Sequence, residues 1–164
     1  MVKPEQIKEL RGATGAGVMD CKKALVETDG DFDAAVKVLR QKGWSRLEGR
    51  SDRETKEGLV ESYIHPGGRI GVLVEVSCET DFVARNVDFQ EFVHDLALHI
   101  AASRPLVIAA DGAEGDFEKE DCLLEQPFVK DPNVLIKDCL ADVASKIGEK
   151  IVIKRFTRYE LGQD

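Results

Sequence analysis

The fold is decided by residues 59–78, which read LVESYIH-PGGR-IGVLVEVSC. Apolar and polar residues alternate on both sides of the central PGGR, as they do in strands whose successive side chains point to opposite faces. The Pro-Gly-Gly sequence supplies residues that tolerate the tight turn between two paired strands. The stretch therefore predicts a β-hairpin.

Two helices and a third strand are predicted after this hairpin. Apolar residues recur at helical spacing in two stretches: Phe89, Phe92, Val93, Leu96 and Ile100, then Ile136, Leu140, Val143 and Ile147. Arg104-Pro105 closes the first helix and Gly148 the second. Alternation returns over residues 151–159. This order predicts an α+β domain, an antiparallel sheet of three strands with helices on one face.

Three short helices are predicted before the hairpin. The first begins at Pro4, the second places Val18 and Cys21 on its inner face, and the third is capped by Asp31 and ends at Gly43. The charged stretch that follows is either a linker or an exposed helix. The predicted organisation is a three-helix bundle over 1–43, a charged linker over 44–57 and an α+β core over 58–164.

Composition narrows the possible functions. The 164 residues are 43% hydrophobic and 33% charged, and the formal net charge is −8. An acidic chain is not expected to bind nucleic acid directly or to adhere to anionic membranes. The first residues contain no apolar leader, and no apolar run approaches membrane-spanning length. Four scattered cysteines without a C-x-x-C pair indicate buried thiols and a reducing cytoplasm.

Motifs of catalysis and metal binding are missing from the sequence. His94 and His99 are five residues apart, which places them on different helix faces, and His65 lies at a turn. There is no phosphate-binding G-x-x-x-x-G-K-[ST] loop, and Gly15 with Gly17 is better explained as a turn between helices. We therefore expect a binding protein that is not an enzyme and has no catalytic residue, metal or cofactor of its own.

Residues 78–86, CETDFVARN, connect a predicted strand to the strongest predicted helix. Thr80 and Asp81 are capping residues, so a short helical turn can begin there. Phe82 and Val83 would then lie near the tip of a connection, where binding residues concentrate. The alternative is a hydrophobic staple that packs Phe82 against the next helix. The residues alone favour the staple.

Several stretches, in order along the chain, resemble elongation factor Ts of bacteria. These are LR (10–11) with TGAGVMDCKKAL (14–25), EGLV (57–60), GVLVE (71–75), CETDFVARN (78–86), LEQPFVKD (124–131), and RF (155–156) through ELG (160–162). The resemblance implies a ubiquitin-associated-like three-helix module, a linker and an α+β dimerisation-type core. It also implies guanine-nucleotide exchange on elongation factor Tu during translation elongation, a step of protein biosynthesis.

The resemblance further implies two sets of partner-binding residues. Thr80, Asp81, Phe82 and Val83 would dislodge the magnesium ion of elongation factor Tu, with Phe82 inserted into a pocket of the partner. Contacts of the N-terminal module with the partner's nucleotide-binding domain would come from Arg11, Val18, Met19 and Lys22. Short members of the family tend to pair into homodimers, which is the expectation for this chain as well.

The chain departs from the family between the stretches at 100–105 and 124–127. Family members usually carry further helical material there, whereas this chain has about a dozen polar, Gly-rich residues, which puts family contacts from residues 106–122 in question. Two alternatives remain open at this stage. One is a ubiquitin-associated-like module fused to a core that binds ribosome or RNA; the other is a nucleotide-binding enzyme.

Overall fold

The computed structural model describes residues 2–163. The chain forms two compact units. The first comprises the residues up to Arg53 together with Leu140–Lys150, and the second comprises Glu54–Cys139 together with the residues from Ile151 onward. The predicted domain limits of 1–43, 44–57 and 58–164 stay predictions, and the structure groups residues 140–150 with the N-terminal helices.

Three helices form most of the first unit: α1 (Pro4–Thr14), α2 (Val18–Glu27) and α3 (Phe32–Glu48). A left-handed Gly15, φ 67°, ends α1 and donates its N–H to the carbonyl of Arg11. Asp31 caps α3 by accepting from the Ala34 N–H at 2.9 Å. The buried core of these helices contains Leu10, Ala16, Cys21, Ala24, Leu25, Ala35 and Leu39. The predicted three-helix arrangement is confirmed.

The predicted end of the third helix at Gly43 is wrong, because α3 continues to Glu48. Gly43 is buried inside the helix, where a Cβ would lie 2.7 Å from Ser145 Oγ and 3.6 Å from Ala141 Cβ. The missing side chain therefore allows a second helical segment to pack closely against α3. The start of the predicted 44–57 linker is helical, which agrees with the exposed-helix alternative as far as Glu48.

The second unit is built on an antiparallel sheet. In chain order the elements from here on are β1 (Glu57–Ile64), β2 (Ile70–Cys78), α4 (Asp81–Ala84), α5 (Val87–Ser103), β3 (Pro127–Phe128), β4 (Asp131–Leu135), α6 (Ile136–Ile147) and β5 (Val152–Glu160). The sheet order is β1-β2-β5, with both pairs antiparallel. This confirms the predicted hairpin, the predicted third strand and the α+β class.

The two faces of this sheet differ. The β2 residues Val72, Val74 and Val76 are buried on the face covered by α5, whose own inner residues Phe89 and Val93 are also fully buried. On the opposite face four large apolar side chains remain exposed: Val60, Ile64, Leu73 and Tyr159. The alternation that predicted the hairpin therefore corresponds to a covered face and an uncovered face, and the uncovered face carries these apolar side chains beside the Glu75–Arg155 ion pair.

Two features of the later chain were not predicted. The short strands β3 and β4 form a separate antiparallel pair. Helix α6 itself was predicted from its apolar spacing, but its division between the two units was not: residues up to Cys139 belong to the second unit and Leu140 onward to the first. All four cysteines are free thiols; Cys21, Cys78 and Cys122 are buried as expected, whereas Cys139 is only partly buried. Nowhere in residues 2–163 is there a helix with the length and apolar character to cross a bilayer.

Candidate functional site

The segment from Thr80 to Val83 lies between the end of β2 and the start of α5. Thr80 caps the one-turn helix α4: its side-chain oxygen accepts from the Val83 N–H at 3.4 Å, and its carbonyl accepts from the Ala84 N–H at 3.2 Å. The Cys78 thiol donates to the same carbonyl at 3.2 Å. The predicted helical turn beginning at Thr80 is confirmed.

Phe82 projects from this turn into solvent. Its side chain is 86% exposed, whereas the next two residues, Val83 and Ala84, are 8% and 7% exposed. The staple interpretation of Phe82 is therefore wrong, since a staple would bury the ring against α5. Val83 is the residue that anchors the turn in the core. The turn thus combines an anchored side with an exposed aromatic side chain.

Charged and polar side chains flank Phe82. Asp81 forms an ion pair with Arg85 at 3.3 Å, and both side chains are mostly exposed. A pair this exposed to solvent contributes little to stability. Thr80 is also exposed. The surface around Phe82 therefore offers a carboxylate and a guanidinium that a binding partner can reach.

The junction between α4 and α5 is fixed by side-chain hydrogen bonds. Asn86 caps α5 by accepting from the backbone N–H groups of Asp88 at 2.8 Å and Phe89 at 3.4 Å. The Gln90 side chain donates to the Ala84 carbonyl at 3.4 Å, which ties α5 back to α4. Asn86 and Gln90 were not among the predicted site residues, although an Asn directly before an apolar helical run is a recognisable capping signal.

The residues predicted to bind through the N-terminal module all lie on the surface of the first unit. Arg11 and Lys22 are exposed, and so are Val18 and Met19 in the first turn of α2, at 49% and 61%. The helical period placed Val18 on the inner face with Cys21, and this is wrong, because the three buried residues of α2 are Cys21, Ala24 and Leu25. Val18 and Met19 together form a small exposed apolar patch on the first turn of α2.

The histidines are dispersed and held by protein groups. His99 is fully buried: its Nδ1 accepts from the Val129 N–H at 3.2 Å, so the proton lies on Nε2, which donates to Gln126 Oε1 at 2.9 Å. Burial lowers the pKa of His99, and the hydrogen bond with Gln126 partly opposes this shift. Across the described part of the chain, no three His, Cys, Asp or Glu side chains are arranged to hold a metal ion.

Comparison with known proteins gives consistent matches. Residues 45–117 match the sequence model of the family described as Elongation factor TS. Elongation factor Ts of Alkaliphilus oremlandii is 50% identical over 190 residues, covering 96% of this chain and 88% of that protein. The corresponding protein of Moorella thermoacetica is 44% identical, covering 99% of this chain and 97% of that protein. That of Desulfosudis oleivorans is 46% identical, covering 96% of each.

The fold and the exposed turn define a class: an α+β protein that carries a helical N-terminal unit and presents an anchored aromatic residue to solvent. The identities to the relatives extend over nearly the whole chain. The chain belongs to the elongation factor Ts family. The alignments span 190 to 196 residues against 164 in this chain, so the relatives carry internal residues that this chain lacks.

Proposed function

We propose that this chain is a guanine-nucleotide exchange factor that binds elongation factor Tu with GDP and promotes GDP release during translation elongation. It acts in the cytoplasm and is not an enzyme, because it changes the partner's affinity for nucleotide without making or breaking a covalent bond. Membership of the elongation factor Ts family supports the proposal. The observation that carries it is the Phe82 ring, 86% exposed on an anchored turn.

Exchange of this kind is a linkage between two binding events. A factor that prefers the empty partner weakens nucleotide binding by the same ratio by which nucleotide weakens binding of the factor. The magnesium ion bound with GDP neutralises phosphate charge, so disturbing the ion loosens the nucleotide. The segment Thr80 to Val83 performs this disturbance by inserting Phe82 into a pocket of the partner, while Asp81 provides polar positioning beside the displaced ion.

The exposure of each residue of the turn determines whether it can contact the partner or only hold the turn in place. Val83 cannot reach a partner with its side chain, since it is 8% exposed, and it acts by holding the turn in place. Burial of a Phe side chain contributes about 2 kcal/mol, which corresponds to roughly thirtyfold in affinity. A larger acceleration of GDP release therefore requires a second set of contacts.

The second set belongs to the N-terminal helices, which we assign as a ubiquitin-associated-like module. Val18 and Met19 supply exposed apolar surface, and Arg11 and Lys22 supply positive charge for the partner's nucleotide-binding domain. Two contact sets on one chain raise the effective concentration of each at the partner. The acidic net charge of −8 supports a protein partner over direct nucleic-acid or membrane binding.

A homodimer is part of the proposal. The uncovered face of the sheet exposes Val60, Ile64, Leu73 and Tyr159, with exposed fractions between 52% and 72%. A group of large apolar side chains on one sheet face is typical of a protein interaction site. Pairing of two such faces would bury these side chains against each other as in a β-sandwich.

The direct test is the release of fluorescent GDP from purified elongation factor Tu, with and without the protein. We expect the release rate to rise with the concentration of the protein and then to saturate. Calorimetry on the protein alone should detect no tight binding of GDP or GTP. Nucleotide binding by the isolated chain, or an unchanged release rate, would contradict the proposal.

A further inference from the structure

Val87 is an exposed apolar residue in the first turn of α5. Its side chain is 62% exposed, although this position gains helix stability from acidic or polar residues and a Val here buries little surface. One exposed Val is ordinary in a folded protein. Val87, however, follows Phe82 by only five residues, and Phe82 is itself the most exposed large apolar side chain among residues 2–163.

Val87 also lines an open groove of about 690 Å³ in the second unit. Leu59 of β1 provides a second apolar side chain in its wall, and the exposed stripe of α5 provides Gln90, Glu91 and His94. The lining combines these two apolar side chains with a larger number of polar and charged ones, so the groove suits a partner segment that presents both an apolar and a polar side chain. The groove and Val87 therefore form one surface.

This surface is continuous with the Phe82 turn. The Asn86 side chain caps α5 at Asp88 and Phe89, and the Asn86 N–H donates to the Val83 carbonyl at 2.9 Å. Gln90, which lines the groove, donates to the Ala84 carbonyl. Because these bonds join both helices, Phe82 and Val87 are held in a fixed arrangement and meet the same partner together.

The charges of the groove identify the chemistry of the occupant. The Glu61 carboxylate lies 3.7 Å from His94 Nδ1, and Asp95 is paired with Lys130. Glu91 is exposed, and among the described residues it has no hydrogen-bonding or ion-pair partner. The groove therefore carries at least one carboxylate, that of Glu91, without a cationic partner beside its two apolar side chains. An apolar side chain next to a Lys or Arg complements this arrangement.

We propose that the Val87 groove is a second binding contact for the partner that Phe82 engages, and that it takes an apolar side chain flanked by a basic residue. The inference rests on the proposed exchange function and deepens it. Phe82 acts in the release of GDP. The groove contact instead strengthens binding of the factor to its partner by the same amount before GDP release and in the transition state of release. Loss of the groove contact therefore raises the concentration of factor needed and leaves the maximal rate unchanged.

The test measures GDP release from elongation factor Tu over a range of factor concentrations for the wild type, Val87→Thr and Glu91→Gln. Val87→Thr keeps the side-chain shape but places a hydroxyl in an apolar contact. We expect its half-saturating concentration to rise about tenfold, equivalent to about 1.4 kcal/mol. Glu91→Gln should raise it by roughly threefold and make it less sensitive to salt. The maximal rate should stay at the wild-type value in both variants.

Leu106→Ser is the control, because Leu106 follows the other end of α5 and is 65% exposed. It should behave as the wild type. Unchanged half-saturating concentrations in both groove variants would overturn the inference, as would a fall in maximal rate alone. If Val87→Thr melts early, Glu91→Gln and its salt dependence decide the question. A wild-type protein that does not stimulate release removes the proposed function and this inference together.

Discussion

Replacement of Phe82 by Ala separates the contribution of this residue to folding from its proposed role in binding. The ring is 86% exposed, so only about a seventh of its surface is removed from water in the free protein. Full burial of a Phe contributes about 2 to 3 kcal/mol, and the loss on folding is therefore about 0.3 kcal/mol. In a chain of this length such a change lowers the melting temperature by about 1 °C.

The effect on nucleotide exchange should be far larger. If the ring enters a pocket of elongation factor Tu, its removal forfeits about 2 kcal/mol of the interaction that competes with the nucleotide, and GDP release should slow by roughly thirtyfold. Asp81→Ala should act in the same direction but more mildly, because the Asp81 carboxylate is exposed and already paired with Arg85.

The assay combines thermal melting with stopped-flow release of fluorescent GDP at saturating factor. Phe89→Ala is the matched comparison, since Phe89 is fully buried and its truncation should cost roughly 3 to 5 kcal/mol. A Phe82→Ala protein that melts as early as Phe89→Ala, or that exchanges nucleotide at the wild-type rate, would refute the reasoning.

Three further predictions test other parts of the molecule. Burial lowers the pKa of His99 below its ordinary 6.5, so the unfolded chain takes up a proton at this residue before the folded chain does. The contribution of neutral His99 to the free energy of unfolding should therefore be complete above about pH 6.5 and decline as the pH falls below that value. Urea midpoints measured at about pH 7.5 and 5.5 should differ less in His99→Gln than in the wild type. Gly58 has φ 146°, and a Cβ there would lie 2.1 Å from the Val76 carbonyl oxygen. Gly58→Ala should therefore lower the free energy of unfolding, measured in urea, by roughly 3 kcal/mol or more. Gly67→Ala is the comparison, because a Cβ at Gly67 meets open space, and it should lower the free energy of unfolding by about 1 kcal/mol. Leu73→Glu places a charge on the uncovered sheet face. Analytical ultracentrifugation should therefore find a dimeric wild type and a folded, monomeric variant; equal masses would contradict the homodimer.

Helices and strands were predictable where their apolar residues recur regularly at helical or strand spacing over the whole element. The hairpin around residues 66–69 and helix α5 lie where alternation and helical spacing placed them, because each buries one face against the other. The end of α3 was mispredicted because Gly43 allows close packing against residues 141 and 145, which lie about a hundred positions further along the chain. The strand β3 has two residues and begins with Pro127, too short a stretch to carry any period.

The candidate site was predictable in position but not in exposure. The capping residue Thr80 located the turn, since capping is a local property of the chain. Whether Phe82 lies inside or outside depends on which side of a four-residue helix meets the core, and both Phe82 and Val83 are apolar. The periodicity of α2 failed at Val18 for a related reason: a first-turn residue can fit the apolar spacing while no helix covers it.

The return of residues 140–150 to the first unit affects the order of folding during synthesis. Helices α1 to α3 are synthesised about ninety residues before Leu140 is added to the chain. At roughly 5 to 20 residues per second the interval is about 5 to 20 seconds. Through this time Arg40 has no Asp142 to pair with, and the site at Gly43 is not yet filled by Ala141 and Ser145. Synthesis of the first unit begins first, yet this unit is completed only after most of the second unit has been synthesised.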